Sequence, residues 1–61
     1  MICTEENVVK ELMKLDYTEQ EAKSTLARYY HLYMEGSENN IDAELCASDI
    51  CTAHGEDLDK E

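Results

Sequence analysis

Cys46, Cys51 and His54 could do chemistry together. Thiolates and imidazoles are common zinc ligands, and a thiol beside an imidazole is a nucleophile pair. Spacing decides between these uses and plain packing. In a helix, residues five apart point about 140° away from each other, so Cys46 and Cys51 diverge. They can neither grip one ion nor close a disulfide while the helix holds. Only Cys51 and His54 share a face. A nucleophile pair also needs an orienting third group and an oxyanion site in a cleft, and 61 residues leave little room for one. Cysteine is among the residue types most often simply buried. The expectation is packing for these residues, with no catalysis, no metal and no cofactor. His31, between Arg28 and Glu35, is expected on the solvated surface.

The second set of candidates is aromatic and acidic. Four Tyr supply all the aromatic mass, since Phe and Trp are absent. Tyr29, Tyr30 and Tyr33 cluster in the chain, with Tyr17 upstream. So many rings exceed what a small core can hide, and Tyr is enriched at binding hot spots. Tyr29, Tyr30, Leu32, Tyr33 and Met34 therefore form the apolar part of a candidate partner site, the alternative being that the Tyr rings stand in for the missing Phe and Trp in the core, with their hydroxyls at its rim. Fifteen acids against five bases give a net charge of −10. The charge is uneven. Residues 1–34 hold six acids and four bases, a net of −2, whereas residues 35–61 hold nine acids and one base, a net of −8. Glu38, Asp42, Glu44 and Asp49 form the acidic part of the candidate site. Such a chain repels nucleic acid and anionic membranes and favours a basic protein partner.

These residues must be positioned by helices. Pro is absent and Gly occurs only at positions 36 and 55, which favours helix over strand. A first helix is predicted over 5–15, capped by Thr4, with Val8, Val9, Leu12, Met13 and Leu15 as its apolar stripe. Thr18-Glu19-Gln20-Glu21 reads as a capping box. It opens a long second helix over 19–35, with Gly36 as a left-handed C-terminal stop. Its apolar face is Ala22, Leu26, Tyr29, Tyr30, Tyr33 and Met34, and Leu32 falls off that stripe and is expected exposed. Asn39 or Asn40 caps a third helix over 41–54, ended by Gly55. Ala43, Cys46, Ala47, Ile50 and Ala53 share one side of it, with Ile41 and Leu45 well round from them. Residues 56–61 read as a disordered acidic tail. The expected architecture is all-α: a compact three-helix bundle over 1–55, with a long second helix and an acidic C-terminal tail.

Leu12-Met13-Lys14-Leu15-Asp16-Tyr17-Thr18, followed by Glu21-Ala22 and Leu26, resembles the ubiquitin-associated (UBA) type of three-helix domain. That family has a Met-Gly-Phe-like loop after its first helix, then Ala and Leu at set spacings in the second. Leu15-Asp16-Tyr17 stands at the loop, and Asn40-Ile41 with Leu45 is similar to the start of the family's third helix. The matching positions cover about half the chain. The resemblance implies a compact helical fold and a general protein-docking role. Asp16 stands where the family's loop has Gly, so ubiquitin binding itself is not carried over.

The function expected from these features is that of a small acidic protein–protein interaction module, an adaptor or inhibitor that docks a basic surface of a larger protein, of mobile-element origin in one version. One alternative is a structural homodimer through the long second helix. Another is a DNA-mimic inhibitor of a nucleic-acid-binding protein. Charge density disfavours the mimic. Asp42, Glu44 and Asp49 on a predicted helix about 21 Å long give roughly one charge per 7 Å, against one per about 1.7 Å in duplex DNA. Direct nucleic-acid binding is not expected. No apolar run is long enough to span a bilayer, the N-terminus lacks a basic start and an apolar run, and three cysteines are an odd number. Together these point to a cytoplasmic protein with reduced thiols.

Overall fold

Thr4 opens the first helix, α1 (Glu5–Lys14). Its Oγ1 accepts the Asn7 amide at 3.2 Å, which satisfies one of the amides a helix start leaves free. Glu6 and Lys10 form the i,i+4 pair at 3.3 Å. In the computed structural model, which describes residues 1–59, α1 is followed by α2 (Glu19–Arg28), α3 (Tyr30–Glu38) and α4 (Ala43–Asp59). The described residues are all helical or connecting, with no strand. The described residues therefore form four helices, where three were expected.

The capping box at the start of α2 is complete. The Glu21 amide donates to Thr18 Oγ1 and the Thr18 amide donates to Glu21 Oε1, each at 3.1 Å. Those bonds, the backbone one first, hold the Glu21 carboxyl below its ordinary range. The predicted second helix does not run on to residue 35. It breaks at Tyr29, whose φ of −110° and ψ of 33° leave the helical region. No Gly or Pro causes the break. Tyr29 instead turns its ring into the core, and its hydroxyl donates to the Asp57 carboxylate near the end of α4. A straight helix over 19–35 would be a rod about 25 Å long. The bend lets α3 fold back onto α4 instead.

Both expected glycine stops are displaced. Gly36 lies inside α3 and is buried, and no glycine has a positive φ. The left-handed positions are Asp16 (φ 72°) and Asn40 (φ 56°). At the end of α1, the Tyr17 amide reaches the Leu12 carbonyl at 3.4 Å and the Asp16 amide reaches the Met13 carbonyl at 3.3 Å. At the end of α3, the Ile41 amide reaches the Gly36 carbonyl at 2.9 Å and the Asn40 amide reaches the Ser37 carbonyl at 3.2 Å. Both are Schellman closures, built here on Asp and Asn where Gly is usual. The left-handed conformation costs an ordinary residue about 1–2 kcal/mol. Replacing Asp16 by Gly is therefore expected to raise stability by about 0.5–1 kcal/mol. Urea unfolding of the variant checks this, and an unchanged or lowered midpoint would refute it.

Asp42, and not Asn39 or Asn40, caps the start of α4. Asp42 Oδ1 accepts the Glu44 amide at 2.9 Å, and its carbonyl accepts the Cys46 amide at 3.0 Å. Gly55 does not end α4, which continues to Asp59. The expected acidic tail is thus helical over 56–59, where Asp57 is tied to Tyr29. Lys60 and Glu61, the rest of that expected tail, lie outside the described residues. α1 packs chiefly on α4 and α2, and α3 packs on α4. Val8, Leu12, Ala22, Ala43, Ala47 and Ile50 are wholly buried between them. Among the described residues no helix is long and apolar enough to cross a membrane.

Candidate functional site

The residues picked out for thiol chemistry separate. Cys46 faces α3 and the N-terminal segment, while Cys51 and His54 face Tyr17. A Cβ placed on Gly36 would lie 3.2 Å from Cys46 Sγ and 3.9 Å from Cys3 Sγ, so both sulfurs converge on that glycine. Burial pushes the Cys46 thiol up to about 12, and the hydrogen bond with Cys3 adds to the effect. A thiol held that high is neither a nucleophile nor a ready metal ligand at neutral pH. Among the described residues, no group of three His, Cys, Asp or Glu side chains could hold a metal ion. Cys51 is only half-buried. Alkylation of the folded protein at neutral pH should therefore modify Cys51 first and leave Cys3 and Cys46 protected until denaturant is added. Mass spectrometry of the labelled peptides checks the order, and early labelling of Cys46 would refute it.

On the other side of α4, the Tyr17 hydroxyl and His54 Nδ1 are 2.9 Å apart. Burial, then the Cys51 thiol, pushes the Tyr17 phenol up to about 12. This contact ties the loop after α1 to α4.

The aromatic candidates scatter. Tyr29 is a core residue, and its bond to Asp57 raises its phenol above the ordinary value. Tyr30 is 41 % exposed and lies on the α1–α2 side, its ring centroid 5.1 Å from that of Tyr33. Tyr33 is half-buried and packs on the core, where burial and then nearby Glu5 raise its phenol. Leu32, expected exposed, is half-buried and packs on the core as well, because the bend at Tyr29 rotates α3 relative to α2. Met34 is exposed. The five apolar candidates thus do not form one patch.

Of the acidic candidates, Glu38, Glu44 and Asp49 are exposed. Asp42 is committed to structure. Its Oδ2 pairs with the Met1 amine at 2.6 Å, and that bond holds its carboxyl below the usual range.

Besides Tyr30 and Tyr33, two of the nine candidates come together, and these from different helices. Leu32 and Asp49 line a groove of about 350 Å³ between α3 and α4. Ile41 and Ala53 complete its apolar walls, and Glu35 and Glu56 join Asp49 at its edge. Among the described residues, three carboxylates and no basic residue line this groove. Comparison with protein-family models, with curated proteins and with solved structures finds no match to this chain.

Glu35, Ile41, Ala53 and Glu56 were not singled out as site residues. Glu35 reads locally as an ordinary polar helix position and Glu56 as the start of a tail. The one sequence signal was that Ile41 sits off the main apolar stripe of its segment, which marks a second apolar surface.

Proposed function

We propose that this chain is a small acidic protein-interaction module, not an enzyme, and that it seats a basic side chain of a larger partner in the α3–α4 groove. The observation that carries this reading is the lining of the groove. Leu32, Ile41 and Ala53 offer walls for the aliphatic stem of Lys or Arg, and Glu35, Asp49 and Glu56 offer acceptors for its charged head. Single exposed ion pairs are worth only about 0–1 kcal/mol. The groove therefore works with the field of the whole molecule, whose net charge is −10, to steer a basic surface and speed its approach. A UBA-like docking role is part of this proposal on the sequence resemblance alone. The three free thiols suit a reducing, cytoplasmic compartment.

The test is affinity purification from the cells that make the protein, at low and high salt, with three baits. The first is the natural chain. The second carries Glu35→Lys, Asp49→Lys and Glu56→Lys. The third carries Glu38→Lys, Glu44→Lys and Asp59→Lys, which changes the net charge equally but leaves the groove intact. A partner with a basic surface should bind the first bait, lose at least tenfold affinity (about 1.4 kcal/mol) for the second, and lose less for the third. High salt should release it. Equal loss on the second and third baits, or no salt-sensitive partner, refutes the reading.

A further inference from the structure

Residues 1–4 precede α1 and are tied down on both sides of Cys3. The Ala43 amide, at the start of α4, donates to the Met1 carbonyl at 3.0 Å. The Asn7 side-chain amide donates to the Ile2 carbonyl at 2.8 Å. Thr4, on the other side, is fixed as the cap of α1. Cys3 therefore has a set position although it stands outside every helix, and it is buried. Cys46 lies about one turn into α4 from Ala43 and is buried as well.

Two cysteines far apart in sequence thus end at one place. That place is the open side of Gly36, where both sulfurs reach toward the Cβ that glycine lacks. The two thiols also share a hydrogen bond. Cys51 takes no part, because it faces Tyr17 on the other side of α4. A single buried cysteine is commonly inert packing. Two in contact offer more. A disulfide needs two Cβ–Sγ bonds aimed at a common point, and the fold supplies that aim here. The bond would close a loop that takes in α1, α2 and α3, and closing a long loop costs the unfolded chain most.

We infer that Cys3 and Cys46 are an oxidation site, a dithiol that a hydroperoxide converts to a disulfide joining the N-terminal segment to α4. Cys3 is the more exposed of the two, 8 % against 2 %, and hydrogen peroxide is smaller than an alkylating reagent. The Cys3 sulfur attacks one peroxide oxygen, the O–O bond breaks and water leaves, so that Cys3 becomes a sulfenic acid. Cys46 Sγ then attacks Cys3 Sγ. The S–O bond breaks, and the departing hydroxide takes the Cys46 proton and leaves as water. The two thiols together lose two electrons and two protons, and one peroxide is reduced to two waters. In a reducing compartment both residues stay thiols until an oxidative challenge. None of this depends on the α3–α4 groove having a partner, so either reading can fail alone.

The test treats the natural chain with hydrogen peroxide, and separately equilibrates it in glutathione redox buffers. A digest made without reductant should contain Cys3 linked to Cys46, in the natural chain and in Cys51→Ser alike. The oxidised chain should melt at least about 10 °C above the reduced one, and dithiothreitol should reverse the shift. Cys3→Ala, outside the helices, should keep the helical circular dichroism signal and show no such shift. In the glutathione buffers the folded chain should favour the bond at least about a hundredfold over the same chain in urea. Cross-links through Cys51 overturn the inference, as do free Cys3 and Cys46 after both treatments. Equal bond formation in folded and urea-unfolded chains overturns it too, since the fold would then not be what aims the sulfurs.

Discussion

Leu12→Ala is expected to remove about 3 kcal/mol of stability. Leu12 has no exposed surface and is among the largest wholly buried side chains, with Ile50 and Val8. Truncation to alanine loses the transfer free energy of the missing carbons and leaves a cavity that four short helices can only partly close. Leu-to-Ala changes in such sites cost about 2–5 kcal/mol. A domain of 61 residues has only about 3–9 kcal/mol in total on general scaling. The change therefore removes between about a third and all of that stability. Met13, the next residue, is 44 % exposed, and Met13→Ala should cost less than about 0.5 kcal/mol. Urea titrations of both variants followed by circular dichroism make the comparison. Similar midpoints for the two would mean that α1 does not pack on the face described.

Gly36→Val is expected to cost about 2 kcal/mol or more. On an exposed helix the change from Gly would be favourable, since Gly is about 1 kcal/mol poorer than Ala. Here the first added carbon already lies 3.2 Å from Cys46 Sγ and 3.9 Å from Cys3 Sγ. The two further methyl groups of Val have to displace one sulfur or push α3 off α4. Removing the nearer sulfur should give back part of the loss. In a double-mutant cycle, Gly36→Val and Cys46→Ala should couple by at least about 1 kcal/mol. Simple additivity would show that the close approach of α3 and α4 at this glycine is not the cause. Gly55 gives the contrast, because a Cβ there meets nothing within 4 Å. Gly55→Ala should stabilise α4 by up to about 1 kcal/mol.

What could be read from the residues in advance was mostly local. Thr4 and Thr18 were identifiable as caps because the bond they make closes within three residues of chain. Val8 and Leu12 were identifiable as core because their spacing matches the helical period. The break at Tyr29 was not legible, since nothing in Ala27-Arg28-Tyr29-Tyr30 opposes a helix. It comes from where the Tyr29 ring and hydroxyl find partners, and Asp57 is 28 residues away. The glycines misled for a physical reason. Gly is favoured at a left-handed stop, but it is equally required where two helices nearly touch, and Gly36 serves the second purpose. Asp16 and Asn40, tolerant of the left-handed region, took the stops. The α3–α4 groove was half visible, through Leu32 and Asp49. Its other members meet only once the angle between α3 and α4 is set, and that angle follows from the bend.

The packing of α1 has a consequence for the order in which the fold closes. α1 lies against α2, its neighbour in the chain, and against α4, two helices further on. The first contact closes a short connection, whereas the second must close a long one and loses more chain entropy. Val8 and Leu12 therefore reach full burial only when α4 docks on the α1–α2 hairpin.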